Sequence, residues 1–144
     1  MESINELQEE IIDEFALYDD WMEKYNYLIE LSKDLLPIDP KHKSGENLIK
    51  GCQSRVWLNG ELVGGKVVFT ADSDAIITKG IVALLVRVLS NRTPDEILNA
   101  ELYFIDRIGL KENLSPTRAN GLVSMVKQMR MYALAYKTKM EQNN

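Results

Sequence analysis

Residues 54–78, SRVWLNGELVGGKVVFTADSDAIIT, are dense in β-branched and aromatic residues and broken by glycines. On both sides of this block the apolar residues instead recur at three- and four-residue steps, the spacing of one helix face. Strands in the middle and helices at both ends predict an α+β fold, a two-layer sandwich with a small antiparallel sheet packed against helices. Inside the block Asn59-Gly60 is a two-residue hairpin signal, and Leu62-Val63 begins the return. Gly64-Gly65 reads as a bulge or second turn, residues 66–71 as the next strand, and Asp72-Ser73-Asp74 as a further turn. Ala75-Ile76-Ile77-Thr78 then reads as a last strand, so a short antiparallel meander is expected.

The flanks carry helix signals of their own. Ile4, Leu7, Ile11 and Phe15 form one apolar stripe. A second helix is expected from Asp19, as N-cap, to about Leu35, with Trp21, Tyr25, Leu28, Leu31 (or Ser32) and Leu35 facing inward. Pro37 and Pro40 stop it, since each removes a backbone donor and restricts the residue before it. After the strands, Ile81, Val82, Leu84, Leu85, Val88 and Leu89 are too dense for a surface helix, so a central one is expected. Thr93-Pro94-Asp95-Glu96 combines an N-cap, a first-turn proline and a capping-box glutamate. Residues 102–110 read as a short helix. Ser115-Pro116 opens a final helix with Leu122, Met125, Val126, Met129 and Tyr132 or Ala133 inward and a fraying polar tail from Lys137.

The 144 residues suit one domain, 1–144. A chain of this size buries roughly 70% of its unfolded surface, so its core needs no covalent staple. With 22 acidic and 17 basic residues the net charge is −5, which disfavours nucleic acid as a partner. The densest basic run, Lys41, His42, Lys43, Lys50 and Arg55, has no interleaved aromatics for base stacking. MESINELQEE lacks the basic and apolar regions of a secretory signal, and no apolar run approaches the ~20 residues of a membrane span. A soluble cytoplasmic protein, not bound to a membrane, is expected.

Chemistry has few places to reside. Residues 37–51, PIDPKHKSGENLIKG, show no apolar period, and so long a loop is usually functional or disordered. The loop runs into Cys52, the only cysteine. One reading is an ordinary buried cysteine, since free thiols are among the most buried side chains. The other is a reactive thiol. Gly51 lets the backbone present it closely, and Lys50, Arg55 and His42 are cations near in sequence that would favour the thiolate. One Cys and one His cannot supply the four ligands of a zinc or iron–sulfur site, and a dithiol cycle lacks its second thiol. A cysteine hydrolase would need His42 as base. Thiol exchange with a partner protein remains.

Gly51-Cys52-Gln53-Ser54-Arg55-Val56-Trp57 resembles the GCQS-x-VW active-site segment of the SufE family, sulfur acceptors of SufS-type cysteine desulfurases. Ala71-Asp72-Ser73-Asp74-Ala75 followed by Thr78-Lys79-Gly80-Ile81 resembles that family's ADSDA and KGL segment. Leu114-Ser115-Pro116-Thr117-Arg118-Ala119-Asn120-Gly121-Leu122 resembles its LSP-[ST]-R-x-x-GL segment. Order and spacing agree over nearly the whole chain, and the resemblance covers the family's CsdE branch as well.

The resemblance implies a SufE/IscU-like sandwich in which Cys52 is the catalytic thiol. Cys52 would accept sulfur as a persulfide from a pyridoxal-phosphate desulfurase, stimulate that enzyme, and pass the sulfur to a SufBCD-type scaffold for iron–sulfur assembly. It implies a sulfur-transfer accessory protein with a covalent intermediate rather than a free-standing enzyme, without cofactor or metal of its own; a homodimer is compatible with it. Gly51, Gln53 and Arg118 would support the Cys52 loop, and Asp74 would belong to the docking surface. A rival reading is a docking regulator that binds the desulfurase without carrying sulfur. The thiol is expected to rest in an apolar shelter, from which the 37–51 loop swings it on docking.

Overall fold

A computed structural model of the chain describes residues 2–143. Its elements run α1 (Ile4–Ala16), α2 (Trp21–Ser32), β1 (Val56–Val63), β2 (Lys66–Ser73), α3 (Ile76–Leu89), α4 (Pro94–Asn99), α5 (Phe104–Arg107) and α6 (Pro116–Gln142). Three short 3-10 turns, Pro40–His42, Gly45–Asn47 and Lys111–Asn113, lie in the connections. The fold is α+β, with helices layered on a two-stranded antiparallel sheet. No helix among the described residues is long and apolar enough to cross a membrane.

The sheet is a single hairpin rather than the expected meander. Its turn is Gly64-Gly65, with φ of +58° and +79°, the left-handed pair that a two-residue hairpin turn needs. Asn59-Gly60 lies within β1, where Gly60 faces Phe69 in register. The glycine serves a close approach there: a Cβ would stand 3.0 Å from both the Phe69 and Tyr132 rings. Tyr132 and Tyr136 of α6 lie over the same strand, donating to Leu58 O at 3.2 Å and to Gly60 O at 2.6 Å. Residues 76–78, expected as a strand, are the first turn of α3; Ile76 is exposed, and the helix's buried face begins at Thr78 and runs on through Ile81 and Leu85.

The core gathers around α3. Ile81, Leu84, Leu85, Val88 and Leu89 are all but inaccessible, as are Val67, Phe69 and Ala71 of β2 and Val56 and Leu58 of β1. Gly80 brings α3 onto α2 backbone to backbone, since a Cβ there would fall 2.2 Å from Leu28 O. Along α1 the buried residues are Ile4, Gln8, Ile11 and Phe15; Gln8 takes the place expected for Leu7. Its amide bridges two backbone groups of the α4–α5 connection, donating to Glu101 O at 3.0 Å and accepting from Phe104 N at 3.1 Å. Arg87 of α3 grips Glu14 of α1 through both nitrogens, at 2.9 and 2.7 Å.

Several boundaries differ from expectation. The N-cap of α2 is Asp20, whose carboxylate accepts from Glu23 N, and the helix ends at Ser32. Residues 102–110 hold only the four-residue α5, while α6 stays helical through the polar tail. The Thr93 capping box and the Ser115 cap form as read. Trp57 is half-buried on the outer sheet face, with the Lys43 ammonium 4.8 Å from its ring centroid.

The Gly80–Leu28 contact leaves no room for a methyl group. Gly80→Ala should destabilise the fold by about 3 kcal/mol and lower the thermal midpoint by roughly 6–12 °C, measured by circular dichroism. An unchanged midpoint would mean that α2 is free to move away from α3.

Candidate functional site

The approach to Cys52 is an ordered path. Within the 37–51 loop, Asn47 Nδ2 donates to Leu58 O at 2.9 Å, Ile49 N donates to Val56 O at 2.9 Å, and Leu48 bridges to Trp57. Lys43 pairs with Asp72 at 3.0 Å, and Lys79 reaches the same carboxylate at 3.2 Å. Burial would raise the Asp72 pKa, but these ammonium groups and the Ser73 amide hold it below the usual carboxylate range. The loop is therefore fastened across the outer face of the hairpin. That argues against a swing of the whole 37–51 segment and confines any movement to the few residues after Ile49.

Cys52 itself is half-buried, and its Sγ lies 3.6 Å from Gly121 O of α6. It lines a pocket of about 310 Å3 with Gln53 and Ser54 of its own loop, Thr78 and Ile81 of α3, and Thr117, Arg118, Gly121 and Met125 of α6. Burial pushes the thiol pKa up, because the thiolate loses hydration there. The sequence-neighbour cations do not reverse this. Lys50, Arg55 and His42 do not line the pocket, and His42 Nε2 is turned to Glu61 at 3.7 Å across β1. No imidazole base therefore stands in the pocket, which removes the arrangement a cysteine hydrolase needs.

Gly51 has φ of +92°, a conformation that favours glycine, and a Cβ there would be 2.6 Å from Ser124 Oγ. Gln53 is exposed beside the thiol. Arg118 is exposed on the pocket wall in the first turn of α6, and no carboxylate among the described residues pairs with it. Asp74 is exposed and does not line the pocket; its Oδ1 accepts from Arg55 N at 3.0 Å while its own N–H donates to Arg55 O at 3.2 Å. Gly51, Cys52, Gln53 and Arg118 thus converge, whereas Asp74 closes the chain just after them.

Sequence reasoning missed Thr78, Ser124 and Met125 as neighbours of the thiol. The sequence places Met125 in the core and Thr78 in a strand, and gives Ser124 no signal. Gly121 lies within the LSP-[ST]-R-x-x-GL segment with no role assigned to it. Its signal was chemical: a glycine inside a long helix marks a close approach. Chemically, the pocket offers one protected nucleophile, a single unpaired cation and a wall that includes apolar side chains. Among the described residues no three His, Cys, Asp or Glu side chains are grouped as metal ligands.

The arrangement has known relatives. Residues 9–133 match the family model described as SufE, Fe–S metabolism associated domain. A SufE-like protein of Rhizobium etli is 41% identical over 127 residues, 85% of this chain and 86% of that one. A SufE-like protein of Synechocystis is 37% identical over 126 residues, 88% of this chain and 79% of that one. SufE-like protein 1 of Arabidopsis thaliana, named chloroplastic/mitochondrial, is 39% identical over 137 residues; these are 94% of this chain but 37% of that longer protein. The solution structure of a hypothetical protein from Thermus thermophilus shares the fold, with a TM-score of 0.74 over 92% of this chain and 96% of that one, at 21% identity. A match across most of the chain, with relatives near 40% identity, makes this chain a member of the SufE family, associated with iron–sulfur metabolism.

Proposed function

We propose that this protein is a sulfur carrier: one SufE-like domain, working in the cytoplasm, that takes sulfur from a SufS-type cysteine desulfurase onto Cys52. It stimulates that enzyme by clearing its persulfide, and it delivers the sulfur to a SufBCD-type scaffold. The observation that carries this reading is a lone thiol held in a protected pocket beside an arginine that no carboxylate pairs with, and with no metal-ligand group or imidazole base near it among the described residues. Such a thiol suits a covalent carrier better than a hydrolase or a metal site.

The exchange balances without an outside oxidant. Cys52 Sγ, as thiolate, attacks the outer sulfur of the donor's cysteine persulfide. A new S–S bond forms on Cys52 while the donor's S–S bond breaks. Its electron pair leaves on the donor sulfur, which takes up the proton that Cys52 released. Delivery repeats the exchange on a recipient thiol. The pyridoxal chemistry that first generates sulfur belongs to the desulfurase. In this reading Gly51 gives the loop its turn, Gln53 and Arg118 support the sulfur or the docked partner, and Asp74 contributes to the docking surface while fastening Arg55.

Intact-mass measurement after incubation with the cognate desulfurase and cysteine should find one added sulfur on the wild type and none on Cys52→Ser. The variant should also fail to stimulate cysteine turnover. Full stimulation by Cys52→Ser would favour the docking regulator instead, and an unmodified wild type beside an active desulfurase would refute the carrier.

The resting thiol also has a pH signature. Because burial favours its neutral form, Cys52 stays protonated to a higher pH than a free cysteine. The iodoacetamide rate of the folded protein should rise with pH through a midpoint above that of the same chain in urea. A folded midpoint at or below the unfolded one would contradict the shelter.

A further inference from the structure

The segment carrying the thiol is attached mainly by its ends. Ile49 N to Val56 O, at 2.9 Å, closes its base, and the Asp74 carboxylate holds Arg55 N at 3.0 Å. Between them, among the described residues, the chain turns at Lys50-Gly51, and the backbone of residues 50–54 makes no hydrogen bond to another element. A stretch whose backbone is not bonded to its neighbours opens at lower cost than one fastened along its length. What touches its tip is α6. Cys52 Sγ lies 3.6 Å from Gly121 O, and Gly51 lies so close to Ser124 that a Cβ would reach 2.6 Å from its Oγ. Ser124 Oγ is itself turned onto the helix, donating to Asn120 O at 3.1 Å, which fixes the surface that Gly51 meets.

Gly121 and Ser124 are three residues apart on α6 and therefore share one face. Together they make the notch against which the loop tip rests. A Cβ on Gly121 would stand 3.3 Å from Cys52 Sγ and 3.8 Å from Cys52 Cα and Cβ, so sulfur would be the first atom displaced. The helix does not need this glycine, since alanine is the better helix former. The space serves the thiol.

We propose that the Gly121–Ser124 notch of α6 sets how far the Cys52 thiol is withdrawn from water, and so how readily Cys52 accepts sulfur. Gly121 and Ser124 are positioning residues that act through the loop tip. The second half of this inference rests on the carrier reading; the first does not. Of the side chains lining the pocket, Arg118 alone is charged, so a lifted thiol exchanges desolvation for water without meeting a carboxylate.

The test fills the notch from each side with Gly121→Ala and Ser124→Val, and enlarges it with Ser124→Ala. In the full-length protein, iodoacetamide should alkylate both filled variants several-fold faster than wild type at neutral pH, with a lower pH midpoint. Gly121→Ala should keep the wild-type circular dichroism and a thermal midpoint no lower than wild type. Ser124→Ala should not accelerate alkylation. Wild-type rates and midpoints in both filled variants, or an equal rise in Ser124→Ala, would overturn the notch.

A second arm follows sulfur uptake by intact mass, with the cognate desulfurase and cysteine, where the filled variants should load faster than wild type. Faster alkylation with unchanged loading would overturn the control of sulfur acceptance. Faster alkylation when neither wild type nor variant takes up sulfur would leave the notch standing and count against the carrier reading.

Discussion

Burial of α3 on several sides at once is the constraint from which the architecture follows. Its apolar residues fill more than one face, so α2, β2, α1 and α6 all pack on it. A helix so enclosed cannot keep a side chain where another backbone must cross, and Gly80 meets that need against the Leu28 carbonyl. Once α3 is fixed, the hairpin covers one flank with alternate residues of both strands. Helix α6 then closes over β1 through Tyr132 and Tyr136. The Cys52 pocket lies where these layers meet, lined by the first turns of α3 and α6 and by the loop that leads into β1.

The loop is held by small attachments in series. An exposed ion pair is worth about 0–1 kcal/mol, so the Lys43–Asp72 contact alone would not order fifteen residues. The stronger restraints are the partly buried hydrogen bond from Asn47 to the β1 backbone and the Ile49–Val56 pair, each adding about 1 kcal/mol. Asp72 contributes by gathering two lysines on a half-shielded carboxylate, and Lys43 also lies over Trp57. With the approach and exit both fastened, freedom concentrates at the thiol.

Much of this was legible in the sequence, and the failures have physical causes. The Thr93 capping box and the Ser115 cap, each followed by a first-turn proline, are readable because their partners lie three residues away. Asn59-Gly60 misled because the same dipeptide serves a tight turn or a close approach, and only Tyr132, more than seventy positions later, decides between them. Residues 75–78 are β-branched enough to suggest a strand, yet the buried α3 face that starts at Thr78 carries the segment into a helix and overrides local preference. Cys52 could be singled out because nothing else in the chain has its chemistry. The electrostatic setting could not. Lys50 and Arg55 are neighbours in sequence but not in the pocket, while Arg118 arrives from the far end of the chain.

Burial of the thiol and the proposed chemistry pull in opposite directions, and the geometry suggests how they are reconciled. Exchange requires a thiolate, whereas the pocket favours the thiol. A carrier with a permanently exposed thiolate would oxidise between partners, because susceptibility follows thiolate character and access. Keeping Cys52 neutral and half-covered slows oxidation and sulfur uptake together. Selectivity must then come from a partner that lifts the tip and supplies the environment in which the thiol ionises. The fold is suited to that division: a fastened base fixes where the tip can go, and a tip whose backbone is not bonded to other elements costs little to move. In the proposed carrier reading, acceptance of sulfur is conditional on docking, and the shelter rather than the nucleophile makes the thiol specific.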